Sequence, residues 1–164
     1  ANWLRLSTAE EKTAIGITEV ADDPVYDQRF YKTDGTAKEI DDYNEFYEKD
    51  AEDGSYKKGD AVKDSEGNVI VYKGVKSNLK LVEKEIARNL LSRYDWQVVR
   101  KAEKGTAIDS AVSTYRDGIR TAYTTRKTEI ENCADIAALV TLYGTTEKDG
   151  VFTPNMTQYP EYTE

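Results

Sequence analysis

The longest periodic segment of the chain is residues 109–131, DSAVSTYRDGIRTAYTTRKTEIE. Apolar side chains recur in it at three- and four-residue spacing, which is the pattern of an amphipathic helix. The stripe consists of Val112, Tyr115, Ile119 and Ala122, is interrupted by Arg126, and resumes at Ile130 and Cys133. Asp109 and Ser110 are both good N-cap residues. We therefore predict a long helix from about Ser110 to Glu131 with this stripe facing a core.

A shorter periodic segment lies on each side of this helix. The first runs from about Ser77 to Tyr94, and the last ends at Gly144. Their predicted core-facing residues are Leu79, Val82, Ile86 and Leu90 in the first and Ile136, Leu139, Val140 and Tyr143 in the last. Asp95 closes the first helix, residues 96–99 are predicted to be extended or tightly packed, and residues 101–105 form a polar connector. Short connectors favour antiparallel neighbours, so we predict a helical hairpin with a short third helix against it.

The front of the chain contains capping and turn signals. Ser7 and Glu10 form a capping-box pattern that starts a short helix through Ile15, with Gly16 as its stop. Residues 17–20 and 25–32 are predicted to be extended, the second by the alternation of Tyr26, Gln28 and Phe30. Turns are predicted at Asp34-Gly35 and at 64–68, the second joining 61–63 to 69–72 as a hairpin. The predicted fold class is α+β, with a small N-terminal helix and β-hairpins followed by a C-terminal three-helix unit.

Charge and apolar content divide the chain of 164 residues, net charge −8, into unlike parts. Residues 21–68 carry a net charge of −8, whereas residues 71–130 carry +6. Between Lys32 and Asn68, Leu, Ile, Val and Phe occur only at Ile40, Phe46 and Val62, whereas they are frequent at 69–143, so the second half forms the core. The acidic middle is either a mobile insertion or an arm that folds on something else. The predicted organisation is an N-terminal helix and hairpin segment (1–35), an acidic arm or insertion (36–68), a helical core (69–144) and a polar tail (145–164).

Residue composition excludes many kinds of reaction. The absence of His excludes Ser-His-Asp and Cys-His catalysis and His-based zinc sites, and the single Cys133 excludes an internal disulfide. The acidic residues lack the spacing of a calcium loop, and no glycine-rich phosphate loop occurs. We therefore predict no enzyme activity, no catalytic residue, no cofactor and no metal, and we interpret Cys133 as a small buried hydrophobe. No apolar run approaches the roughly 18 residues of a membrane span, so we expect no membrane insertion. Residues 1–16 carry charges throughout, so we expect no secretory leader.

The positive segment does not indicate nucleic-acid binding. Its basic residues are interspersed with acids, as on a solvated helix with ion pairs. A pI near 4.8 also opposes approach to a polyanion. The counter-charge is instead expected from the acidic arm or from an acidic partner. Within that arm Tyr43, Phe46 and Tyr47 are flanked by acids, and we interpret these three rings as a candidate protein interface.

Two segments of the helical region, IARNLLSRYDW at 86–96 and TYRDGIR at 114–120, resemble small proteins of tailed phages. The family is that of tail-assembly-chaperone-like and tail-fibre-assembly-associated proteins, of the marine or cyanobacterial phage type. The front of the chain, at 2–17 and 26–31, is also similar to the leading segment of such proteins. The resemblance covers both ends of the chain and leaves out the acidic middle. After the Asp95-Trp96 step the chain departs from the pattern, with RKAEKG in place of a Pro-containing acidic loop.

The signature of this resemblance is interpreted as structural. Trp96 and Tyr115 are expected to seal the two long helices, and Asp95 is expected to pair with Arg116 or Arg120.

The resemblance implies that the chain takes part in protein–protein interactions in the tail, as a structural or adaptor component that docks on tail fibre or baseplate proteins. One alternative is a transient assembly chaperone that is absent from the mature virion, and another is an acidic host-directed inhibitor or DNA mimic. The expected location is the virion tail, or the host cytoplasm during assembly. Self-association into a homo-oligomer stays open.

Overall fold

The computed structural model describes residues 6–17 and 25–163. Its elements, in order, are α1 (Ala9–Ala14), β1 (Tyr43–Asn44), β2 (Val71–Tyr72), α2 (Val75–Ser92), α3 (Asp95–Lys104), α4 (Ser110–Asn132), α5 (Ile136–Leu142), β3 (Thr145–Lys148) and β4 (Val151–Pro154). Strands β1 and β2 pair antiparallel, as do β3 and β4. The predicted α+β class, with a small N-terminal helix, small hairpins and a helical C-terminal region, is confirmed.

Helix α4 is the central element of the helical unit. The Asp109 side chain accepts hydrogen bonds from the backbone of Ala111 and Val112, which fixes its start. The predicted stripe is buried at Val112, Tyr115, Ile119, Ala122, Ile130 and Cys133. Helix α2 runs antiparallel to α4, since Lys80 pairs with Glu131 near one end and Leu91 contacts Arg116 near the other. The predicted helical hairpin is therefore present, with α5 against α4.

The buried face of α2 differs from the predicted one. Leu79 is buried as expected, but Val82 is 54% exposed and Ile86 37% exposed. The buried positions that follow Leu79 are Glu83 and Ala87. Glu83 can occupy the core because α4 and the C-terminal segment supply its charge and hydrogen-bond partners. The apolar residues at 82 and 86 consequently face outward.

Residues 95–104 form a helix, α3, so the predictions of an extended 96–99 and a polar connector at 101–105 are wrong. Asp95 lies in its first turn, where a negative charge is favourable. The helix ends at Gly105, which has a left-handed φ of 70° and donates its N–H to the carbonyl of Lys101 at 3.0 Å. Gln97 is the residue that α3 buries. Trp96 is left 55% exposed.

The N-terminal helix has the predicted cap chemistry one residue later. Thr8 is the N-cap, and its capping box with Glu11 replaces the predicted pair of Ser7 and Glu10. The predicted strand at 17–20 lies outside the described residues beyond Ile17. The predicted strand at 25–32 is wrong, because the N–H groups of Phe30 and Tyr31 both donate to the carbonyl of Asp27 in a tight turn.

The acidic middle makes its backbone hydrogen bonds within this chain. Residue Phe46 bridges to Ala61, and the predicted hairpin closes where Lys63 bridges to Val69. Ile40 packs against the helical core. A Cβ on Gly74 would lie 2.3 Å from a backbone oxygen of residue 41, so the segment closely approaches the start of α2. The start of the acidic middle, at residues 39–42, is thus anchored to the helical unit, whereas residues 44–68 pair among themselves and with residues 69–72.

The segment predicted as a polar tail forms a hairpin and then a packed strap. Asp149 and Gly150 both have positive φ, as the tight turn between β3 and β4 requires. Residues 156–162, which we call the C-terminal strap, cross the α2–α4 pair. Met156 joins the core around Phe30, and Tyr159 and Tyr162 pack against the cluster around Tyr115.

Candidate functional site

A closed polar cluster lies beneath the C-terminal strap, centred on Glu83 of α2. The Glu83 side chain is 1% exposed. Arg126 of α4 donates from Nε and Nη2 to its two carboxylate oxygens at 2.7 and 2.8 Å. The hydroxyls of Tyr143 and Tyr159 donate to the same two oxygens at 3.1 and 3.2 Å. Each carboxylate oxygen therefore accepts two hydrogen bonds, as a buried charge requires.

The electrostatics of this cluster keep its two tyrosines neutral and its arginine charged at neutral pH. Burial, with the adjacent charge of Glu83, raises the pKa of Tyr159 to about 12, and the same causes raise the pKa of Tyr143. Burial acts to lower the pKa of Arg126, but its hydrogen bonds and charge pairing with Glu83 outweigh burial and raise it. The cluster is thus a saturated network that positions the strap.

Further contacts fasten the strap to α4. Glu129 accepts from the Thr157 backbone N–H at 3.1 Å and from the Thr157 hydroxyl. Arg126 donates to the carbonyl of Thr157. A Cβ on Gly118 would lie 3.0 Å from Pro160, so the small residue at 118 permits the strap to cross closely.

Three of the five residues of the sequence signature come together at the other end of the α2–α4 pair. Arg116 donates from Nη1 to Asp95 at 2.8 Å and to the carbonyl of Leu91 at 2.6 Å. Tyr115 is buried and contacts Tyr162 edge-to-face at a centroid distance of 5.5 Å. Arg120 instead pairs with Asp117 on its own helix at 2.7 Å. The structure thus selects Arg116 from the two predicted partners of Asp95.

Trp96 does not seal the helices, so that expectation is wrong. Because α3 begins at Asp95, the next side chain points away from the seam, and Gln97 turns inward. Trp96 is 55% exposed, and the Arg100 guanidinium lies over its ring at 4.9 Å. Val99 on the same helix is also more than half exposed. Helix α3 therefore presents apolar surface to the outside.

The three predicted interface rings separate into two kinds. Tyr43 is 41% exposed and stacks on Tyr72 at 5.4 Å across the β1–β2 pair. Phe46 is 58% exposed. Tyr47 is half-buried and stacks on Tyr56 at 3.6 Å, which stabilises the acidic segment internally. Tyr43 and Phe46 therefore remain available as interface residues, and Tyr47 supports them.

An open groove follows the N-terminal half of α2, and sequence reasoning did not find it. Its first part is a cleft of about 440 Å³, lined by Lys32, Lys38, Glu39, Tyr43, Lys73, Val75 and Asn78. Its second part is a cleft of about 420 Å³, which shares Lys38, Val75 and Asn78 with the first. The remaining residues that line it are Gln28, Arg29, Leu79, Val82, Glu83, Ile86, Arg126 and Tyr143. We call the two together the amphipathic groove. The lysines come from separate parts of the chain, so no local pattern signals them.

Neither a metal-binding cluster nor a membrane-spanning helix is present in the described part of the chain. No group of three or more His, Cys, Asp or Glu residues is placed there to hold a metal ion. Among the helices of residues 6–17 and 25–163, none is long and apolar enough to cross a bilayer. Cys133 is buried, its Sγ lies 3.4 Å from the carbonyl of Glu129, and burial raises the pKa of the thiol.

Comparison of the chain with protein-family models, curated proteins and solved structures finds no match. The resemblance to tail-associated phage proteins therefore depends on the sequence segments at 86–96 and 114–120 and on the front of the chain.

Proposed function

We propose that this protein is a non-enzymatic docking protein of tailed phages, a structural or adaptor component that binds tail fibre or baseplate proteins. The observation that carries the proposal is the exposure of large apolar side chains on a chain that has few of them. Those more than half exposed include Phe46, Val82, Trp96, Val99 and Phe152. Aromatic residues are enriched at the centres of protein interfaces, and contiguous exposed apolar surface marks interaction sites.

The internal polar contacts support the same proposal. Glu83 and Asp95 are each paired with an arginine of α4, so their charges fix elements in place. A scaffold held in this way loses little conformational freedom when it binds. Docking on a rigid helical surface is therefore the activity for which this arrangement is best suited.

Trp96 is the expected anchor of the docking surface. A tryptophan that is half exposed in the free protein can bury a large ring area on binding, and such residues often dominate the binding energy. Arg100 over its ring adds a cation beside the apolar surface. Val99 extends the same exposed surface. Helix α3 is thus the face where we place the main contact.

Mass spectrometry of purified phage particles is the first test. The protein is expected in the particles together with tail proteins. Recovery on tail fibre proteins in infected cells, combined with absence from the particles, would instead favour the assembly chaperone. Absence from both would refute the proposal.

A variant series connects the binding to α3. Trp96→Ala is expected to weaken capture of the tail partner while the circular-dichroism spectrum stays unchanged. Lys101→Ala, an exposed position on the same helix, is the matched control and is expected to bind normally. Equal capture by Trp96→Ala and the wild type would remove α3 from the proposed interface.

A further inference from the structure

The amphipathic groove has a cationic end and an apolar end. Lys32, Lys38 and Lys73 surround the first cleft, where Glu39 is the carboxylate among the lining residues. Val82 and Ile86 give the second cleft an exposed apolar strip. The two clefts share Lys38 and are therefore continuous.

Within the described part of the chain these lysines act on carboxylates only at longer range, Lys32 on Asp34, Lys38 on Asp27 and Lys73 on Asp42. None of Lys32, Lys38 and Lys73 takes part in its ion pairs, although Lys38 donates to the carbonyl of Gln28. The other cations of the groove are committed, because Arg29 pairs with Asp27 and Arg126 with Glu83.

The carboxylates near the lysines are also committed to other donors. Asp34, close to Lys32, accepts from the N–H of Thr36. Asp42, close to Lys73, accepts from the N–H of Gly74. Both carboxylates stay charged, but they do not line the first cleft, where three lysines outnumber the one carboxylate, Glu39.

The start of α2 does not contribute a free anion site. The N–H groups of Val75 and Lys76 donate to the carbonyls of Glu39 and Ile40 at 2.9 and 3.0 Å. Since the backbone donors are occupied, recognition depends on the lysine side chains. Their spread around the cleft suits several separate carboxylates, and the adjoining apolar strip suits aliphatic or aromatic side chains. The apolar strip favours a peptide over a nucleic-acid backbone, because that backbone repeats its charges without aliphatic side chains between them.

The length of the groove sets the distance between the charged and the apolar groups of its ligand. Val75 and Ile86 are separated by about 16 Å along α2, from the rise of roughly 1.5 Å per residue. An extended peptide covers that distance in about five residues. We propose that the groove binds an extended acidic peptide segment of a partner protein, with carboxylates at the lysines and apolar side chains about five residues away on Val82 and Ile86. This inference rests on the proposed docking function and names the chemistry of the partner.

Fluorescence polarisation with a labelled synthetic peptide of about eight residues tests this inference. The peptide carries two Glu at one end and two Leu at the other, and its control carries Gln in place of Glu. The full chain is expected to bind the acidic peptide about tenfold more tightly than the control, and binding should weaken from about 50 to about 500 mM NaCl. Equal binding of both peptides would overturn the inference.

Two protein variants locate the site. Lys32→Gln with Lys73→Gln removes two side-chain charges that make no hydrogen bond among residues 25–163, so the fold should be kept while affinity falls about tenfold. Lys84→Gln and Lys104→Gln together are the charge-matched control at exposed positions outside the groove, and they should leave affinity nearly unchanged. Equal losses in both double variants would show a non-specific charge effect and refute the site.

Two further arms separate this inference from its alternatives. A single-stranded oligonucleotide of about eight nucleotides is the competing polyanion, and tighter, lysine-dependent binding of it would overturn the peptide assignment. Failure of the peptide with continued Trp96-dependent capture of a tail protein would refute the groove proposal and leave the proposed function standing. Failure to capture a tail protein, together with lysine-dependent binding of the peptide, would refute the proposed function and leave the groove proposal standing.

Discussion

The pair of Glu83 and Arg126 gives the sharpest stability prediction. In Arg126→Met, the buried carboxylate keeps its two tyrosine donors and loses its charge partner and the two shortest of its four hydrogen bonds. Breaking a buried ion pair by removing one partner costs about 3–5 kcal/mol. Because Tyr143 and Tyr159 still donate, we expect the lower end, a loss of about 3 kcal/mol in the free energy of unfolding. The double variant Glu83→Leu with Arg126→Met removes both charges and should cost much less than the single one.

Urea denaturation followed by circular dichroism measures both variants. Arg88→Met is the matched control, since Arg88 pairs with Glu85 on the exposed surface of α2. Its loss should lower the free energy of unfolding by no more than about 0.5 kcal/mol. A loss below about 1 kcal/mol for Arg126→Met would refute the reasoning. So would a double variant less stable than the single one.

Three further predictions follow from the same contacts. Tyr115→Ala should lower the free energy of unfolding by about 3 kcal/mol, as for a buried aromatic. Trp96→Ala should lower it by less than about 1 kcal/mol because that ring is 55% exposed, and thermal denaturation compares the two variants. Arg116→Ala should destabilise by about 2 kcal/mol, since it leaves the carbonyl of Leu91 and Asp95 without their donor, while the exposed Arg120→Ala should stay within about 0.5 kcal/mol in the same assay. The pKa of Tyr159 is raised to about 12 in the folded protein, so above pH 10 the unfolded chain loses this proton before the folded chain does. The free energy of unfolding should therefore fall between pH 10 and 12. A Tyr159→Phe variant whose free energy of unfolding falls with pH as steeply as the wild type's would contradict this.

Local patterns predicted the elements whose stability is local. Helix α4 has its cap at Asp109 and its stripe from Val112 to Ile130, and both depend on residues within a few turns. The turn at Asp34-Gly35 is present for the same reason, with Gly35 at a φ of +83°. Caps, turns and helical periodicity can be identified in a sequence because the groups that satisfy them are neighbours in it.

Apart from the missed helix α3, the turn at 27–31 and the shifted N-terminal cap, which are local, the errors concern contacts between distant residues. From its charge alone, Glu83 would be expected at the surface. Its burial depends on Arg126, 43 residues away, and on Tyr159, which lies in a segment without periodicity. The sequence signature predicts that Trp96 seals the two long helices, although α3 turns it outward. The groove depends on Lys32 and Lys73, which only the folded chain brings together.

The orientation of α2 connects the buried pair with the proposed groove. Val82 and Glu83 are adjacent, so they lie about 100° apart around the helix, and a rotation of α2 toward Val82 would bury the apolar residue instead. Burial of Val82 would add apolar contact without the desolvation cost of an ion pair. The structure instead buries Glu83 against Arg126 and leaves Val82 and Ile86 facing the groove.

If the groove binds a partner, the burial of Glu83 against Arg126 serves binding, because this ion pair keeps Val82 and Ile86 facing the groove. The double variant Glu83→Leu with Arg126→Met tests the idea, since it removes the polar constraint on the rotation of α2 while it keeps a buried apolar side chain. It should remain folded and yet bind the acidic peptide more weakly than the wild type. Unchanged binding in a folded double variant would mean that the pair contributes to stability alone, and the orientation of α2 would then need another cause.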